Sequence, residues 1–143
     1  MGERLVPSNG KRLILSKNGE VLAWVVNLRN IGNPKSTLFL SEPTEQLQMG
    51  LVAAKSDGII RRHTHPSNPR KLDATVEVLI VLRGSVACEL FDEEKELVEA
   101  FTLSSGSLIY LARGGHGFKL SKRAKVIEIK QGPFIATLDK EFF

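Results

Sequence analysis

Cysteine, aromatic rings and long apolar runs are all scarce in this chain. Its one cysteine, Cys88, has no partner for an internal disulfide, so nothing calls for an oxidising compartment. The longest unbroken apolar run, Val21 to Val26, is far shorter than the ~20 residues that a membrane-spanning helix needs. Met1 to Leu5 contains no apolar segment of signal-peptide length, so the expectation is a cytoplasmic protein with no membrane partner. Aromatic residues make up 6% of the chain, too few to form a stacking ladder for single-stranded nucleic acid. The net charge of +4 is spread along the sequence, with its densest cluster at Lys119, Lys122, Arg123 and Lys125. Without helix-turn-helix or zinc-finger spacing, that charge reads as a solvated basic face, and no nucleic-acid partner is expected.

The remaining composition supports a folded domain. With 143 residues and 42% hydrophobic content, there is enough material for one domain with its own core, spanning 1–143. Turn signals recur every eight to twelve residues between runs rich in Val, Ile, Leu and Phe. Asn18-Gly19 separates Arg12–Ser16 from Glu20–Leu28, a hairpin signal because both residues accept positive φ. Further strands are expected at Thr37–Ser41, Leu47–Lys55, Ile59–His65, Val76–Arg83, Ser85–Phe91, Leu97–Leu103, Leu108–Ala112, Phe118–Leu120 and Val126–Lys130. The only helix candidates are a short start at Pro43-Thr44-Glu45-Gln46 and the last five residues. Such a series of short strands implies an all-β antiparallel sandwich or barrel. Cys88 alternates with Val86 and Leu90, the pattern of a packed core thiol. Trp24 and Phe39 are expected to anchor the N-terminal strands to the rest of the core.

The three histidines carry most of the chemical information. His63 and His65 lie one residue apart on an expected strand, so both imidazoles project to one side with Cα atoms about 7 Å apart. Two such nitrogens can converge on one ion, with a carboxylate beside them. Glu77 opens the most apolar strand, where a carboxylate needs compensation for its desolvation. His116 sits in Gly114-Gly115-His116-Gly117, where absent side chains let the loop approach a site closely. Each residue also has an ordinary structural role open to it: an exposed strand pair, a strand mouth in water, and a turn.

Between 46 and 133 the sequence resembles the cupin superfamily. The first cupin motif reads here as Gly58, His63-Thr64-His65 and Glu77, followed after six residues by Gly84. The second reads as Gly106, then Ala112-Arg113-Gly114-Gly115-His116. The chain departs from the pattern in three places. Eleven residues separate His65 from Glu77, Ala112 stands where the motif has proline, and Leu120 stands where an asparagine is common. The resemblance implies a double-stranded β-helix, or jelly-roll barrel, over 46–135. It also implies an N-terminal β-strand extension over 1–45 that pairs with a second copy in a homodimer. His63, His65, Glu77 and His116 would hold one divalent transition metal: Fe, Mn, Ni, Zn or Cu. The activities implied are isomerase- or epimerase-like, or dioxygenase-like, on a small polar or anionic metabolite; a non-catalytic ligand-binding module is the alternative.

Other side chains are candidates for the substrate pocket. Arg61 shares the parity of His63 and His65, and Arg70, beside Lys71, lies in the long loop before Glu77. Glu128 and Lys130 share one strand face. Facing inward they would put an acid and a base beside the metal; facing outward, the commoner outcome, they are ordinary solvated residues.

Overall fold

The computed structural model describes residues 5–6, 11–53 and 58–143. The protein is all-β, with eleven strands and one short 3-10 turn, Leu28–Asn30, among these residues. The strands are β1 (Leu5–Val6), β2 (Lys11–Leu15), β3 (Val21–Asn27), β4 (Leu38–Phe39), β5 (Gly50–Leu51) and β6 (Glu77–Arg83). They continue with β7 (Ser85–Phe91), β8 (Leu97–Ser104), β9 (Ser107–Leu111), β10 (Gly115–Leu120) and β11 (Lys125–Lys130). They form a six-stranded sheet in the order β1-β2-β3-β9-β6-β11, a three-stranded sheet β10-β7-β8, and the pair β4-β5. All pairings are antiparallel, and the described strands do not close into a barrel.

Strand parity explains why the central strands are apolar without interruption. Ala23, Leu79, Val81, Ile109 and Leu111 pack against Val86, Cys88, Leu90 and Leu103 of the three-stranded sheet. The alternate residues Trp24, Val26, Val78, Leu108 and Tyr110 form a second core on the opposite face. Leu40, with Leu38, Leu47, Met49 and Leu51, covers that second face. β3, β6 and β9 are thus buried on both sides, which requires a run such as Val21–Val26 rather than an alternation. Trp24 stacks on Tyr110 with ring centres 4.8 Å apart, and the Tyr110 hydroxyl donates to the Leu47 carbonyl at 2.7 Å. Burial pushes the Cys88 thiol up to about 12, in keeping with an inert core thiol.

Several expectations change. Ile59–His65 forms no strand, and every residue from 58 to 75 is exposed. The strand expected over Leu47–Lys55 is reduced to β5, and its last two positions lie outside the described residues. Pro43–Gln46 is a turn instead of a helix start, closed by the Gln48 amide donating to the carbonyls of Glu42, Pro43 and Glu45. The last five residues are irregular. Phe39 is 61% exposed and stands outside both cores, whereas Trp24 is buried in the second. In the β2–β3 hairpin only Gly19 adopts positive φ (82°). Its amide donates to Ser16 O at 3.0 Å, a turn that leaves Asn18 in an ordinary conformation.

Candidate functional site

The site forms where the two larger sheets face each other along an open side. On β6, Glu77 shares the parity of Leu79 and Val81 and therefore points between the sheets. β11 pairs with β6 so that Lys130 lies opposite Glu77, Glu128 opposite Leu79 and Val126 opposite Val81. Directly opposed residues project from the same face, so Glu128 and Lys130 point inward. From the other sheet, His116 lies opposite Leu90 and Phe118 opposite Cys88, which turns both rings toward Glu77.

These side chains meet. His116 Nε2 lies 3.0 Å from Glu77 Oε2, and Lys130 Nζ lies 3.7 Å from Glu77 Oε1 and 3.9 Å from Glu128 Oε2. Glu77 is one-tenth exposed, Lys130 18% and His116 28%, so the cluster is largely shielded, with Glu128 reaching the surface. The hydrogen bond from His116 holds the Glu77 carboxyl below the usual carboxylate range. Burial opposes this, and the charges of Lys130 and Lys140, with that of His116 when it is protonated, reinforce it. Glu77 therefore stays ionised at neutral pH, its desolvation offset from both sides.

The cluster opens on a cavity of about 860 Å³, a size typical of small-molecule sites. Its walls include Phe118, Glu128 and Gln131, with Asp139, Lys140 and Glu141 from the C-terminal segment. That segment is held by an ion pair between Lys95 and Glu141 at 3.1 Å and by Phe143 packed edge-on against Phe91 at 5.2 Å. Gln131 was not anticipated. Its Oε1 accepts from Val76 N at 2.8 Å, while its buried Nε2 has no hydrogen-bond partner among the described residues. The C-terminal segment was also missed, because its sequence shows no strand periodicity.

The glycines around His116 act on backbone packing. Gly114 has φ of 75°, and a Cβ there would fall on the Phe91 carbonyl oxygen. A Cβ at Gly115 would come within 2.8 Å of the Phe143 ring. Close approach was expected, but the neighbours are the β7 backbone and the C-terminal segment.

The other candidates lie elsewhere. His63 and His65 are exposed on the irregular segment, their rings 5.1 Å apart edge to face, with His63 Nδ1 2.8 Å from Arg61 O. Arg61 and Arg70 are exposed too and do not line the cavity; Arg70 makes a long contact to Asn68 O at 3.4 Å. The inward parity expected of Arg61 does not arise, because the strand on which it depended is not formed.

The expected metal provides a direct test of the donor set. Glu77 and His116 suit it, since 3.0 Å is roughly the separation of two neighbouring donors each about 2.1 Å from one octahedral ion. His63 and His65 do not join them, and among the described residues no three His, Cys, Asp or Glu side chains are grouped to hold a metal. Of the four expected ligands, the structure brings together Glu77 and His116.

A family model described as a domain of unknown function (DUF6016) matches residues 35–103. The matched stretch includes His63, His65 and Glu77 and stops before His116, Glu128 and Lys130. No curated protein and no solved structure matches the chain. No helix among the described residues is long and apolar enough to cross a membrane.

Proposed function

We propose that this chain is a small cupin-like jelly-roll protein, acting as a homodimer, that catalyses proton transfer on a small polar metabolite in the manner of an isomerase or epimerase. The observation carrying this reading is the Glu77–His116 hydrogen bond, made between two sheets at the wall of a cavity and flanked by inward Lys130 and Glu128. Titratable groups that can take up and return a proton beside the cavity favour an enzyme over a binding module.

The roles follow from the contacts. An ionised Glu77 accepts the proton on His116 Nε2 and so fixes the tautomer whose Nδ1 is an acceptor. His116 is then the general base for a proton next to a carbonyl, with Glu77 orienting the ring. Lys130 holds both carboxylates in place, His116 returns the proton it has taken, and Glu128, on the cavity wall and half exposed, accepts a hydrogen bond from a substrate hydroxyl. The lining places Asp73, Glu77, Glu128, Asp139 and Glu141 against Lys140 and His116, a balance that suits a neutral polyhydroxy substrate better than an anion.

The test is incubation with aldoses, ketoses and hydroxy acids in deuterium oxide, followed by proton NMR. Deuterium should enter the carbon beside the carbonyl of at least one compound, and His116→Gln should slow that exchange on the order of 100-fold or more. Exchange that is equally fast in His116→Gln would contradict the assignment.

A further inference from the structure

The basic cluster at Lys119, Lys122, Arg123 and Lys125 lies at the end of the molecule away from the cavity. β6 runs about 20 Å from Glu77 at the cavity to Arg83 at this end. Three turns between the two larger sheets meet here: β6–β7 at Gly84, β8–β9 at Ser105-Gly106, and β10–β11 over 121–124. The Leu28–Asn30 turn joins them, with Leu28 N donating to Gly106 O at 2.9 Å and Arg29 Nη2 donating to Ser105 Oγ at 3.4 Å. Across 28–33, 80–88, 101–109 and 117–127 there are six basic residues, Arg29, Arg83, Lys119, Lys122, Arg123 and Lys125, and no Asp or Glu. All six are exposed. Lys11, Arg12, Lys95, Arg113 and Lys130 each have a carboxylate within 4.0 Å, whereas among the described residues none of these six does. Arg123 even holds its place at φ of 62°, a conformation that glycine adopts more easily.

We propose that this end is a docking surface for an anionic lipid bilayer, with the six cations against the headgroups and Leu82 and Leu120 set into the interface. The leucines select this occupant. Leu82, just before Arg83, is 48% exposed, and Leu120, just before Ser121-Lys122-Arg123, is 53% exposed. Their two turns are locked side by side, since Ser85 N donates to Ser121 Oγ and Ser121 N donates to Ser85 O, both at 2.9 Å. Cations alone suit any polyanion, but apolar side chains are buried in a bilayer interface and gain little against the phosphates of a duplex. Adsorption of this kind needs no spanning helix, so the scarcity of long apolar runs does not bear on it. The opposite end carries the reverse sign, with Glu93, Glu94 and Glu96 in the β7–β8 turn and Glu128, Asp139 and Glu141 around the cavity. An anionic surface therefore orients the chain basic end first and leaves the cavity facing water.

The experiment is flotation of the full chain with vesicles of phosphatidylcholine alone and of phosphatidylcholine with about 30 mol% phosphatidylserine. The chain should float with the second and not the first, and about 0.5 M salt should release most of it. Lys122→Gln/Arg123→Gly/Lys125→Gln should lower the partition coefficient roughly 10-fold or more, at about one headgroup attraction lost per charge. Leu82→Ser/Leu120→Ser should lower it as well, although it leaves every charge in place. Arg123→Gly alone guards against a folding effect: it relieves the positive φ, so the thermal midpoint should hold or rise while flotation falls. No flotation with the anionic vesicles, equal flotation with the neutral ones, or flotation that the triple variant leaves intact would overturn the proposal. So would a partition indifferent to Leu82→Ser/Leu120→Ser alongside tight binding to duplex DNA, which would make this end a nucleic-acid surface. None of these readouts depends on proton transfer at Glu77 and His116, so the two proposals fail separately.

Discussion

Glu77→Ala is expected to lower the unfolding free energy by about 2–3 kcal/mol at neutral pH, measured by urea denaturation. The largest part comes from what the substitution leaves behind. Lys130 is 18% exposed and would lose its near partner at 3.7 Å, while His116 would lose the acceptor at 3.0 Å. Removing one member of a shielded pair costs more than the pair itself contributes, because the remaining charge stays desolvated. Glu77→Gln should cost less, since the amide keeps the shape and one oxygen acceptor. The pH dependence has a defined sign. Glu77 has a folded-state pKa lowered from 4.5, chiefly by the His116 hydrogen bond, so the unfolded chain binds its proton first as pH falls. Its contribution is complete above pH 4.5 and is lost as pH falls through the lower folded value. The stability gap between wild type and Glu77→Gln should therefore be constant near neutrality and narrow below the ordinary carboxylate range. A gap that widens on acidification would contradict this account of Glu77.

Gly114→Ala should have a comparable effect by a different route, costing about 3 kcal/mol. The residue sits at φ of 75°, unfavourable for any side chain, and its Cβ would meet the Phe91 carbonyl oxygen, a backbone atom that cannot rotate aside. Leu22 Cδ2 would lie 3.2 Å from the same atom and blocks retreat in that direction. The turn must open, and β10 begins at the next residue, so His116 moves with it. Loss of stability should be accompanied by loss of the His116–Glu77 hydrogen bond, visible as altered exchange of the imidazole proton in NMR spectra. Gly117→Ala is the control: its Cβ would meet only Glu89 Oε2 at an ordinary 3.6 Å, so it should change stability by well under half as much.

What the amino-acid order reveals follows from where its constraints are local. Ser85–Phe91 reads correctly to the residue because Gly84 (φ 75°) and the Asp92–Lys95 turn bound it and its inward positions alternate. β3 and β9 are evident from apolar runs that only burial on two faces can require. Glu77 and His116 stand out as polar groups inside an apolar strand and a glycine-rich turn. The facing of Glu128 and Lys130 is not local. It depends on the register in which Lys130 lies opposite Glu77, and on a shift in that pairing between Lys125 and Val126, neither of which β11 encodes alone. Ile59–His65 fails for a related reason: its pattern suits a strand, but strand formation also depends on pairing with residues far away in the sequence, which the segment does not encode. Gln131 is invisible in advance because its importance lies in one contact with Val76, 55 residues away.

The central claim is that small molecules act at the Glu77–His116 wall of the cavity. Side-chain and amide NMR of the full chain, titrated with a panel of sugars, polyols and hydroxy acids, tests it most directly. A binding compound should shift the His116 ring and the amides of Gly114 to Phe118, together with Lys130 and Gln131, and should fail to do so in Glu77→Gln/His116→Asn. Shifts confined to the outer face of the three-stranded sheet, or shifts that persist unchanged in that variant, would contradict it.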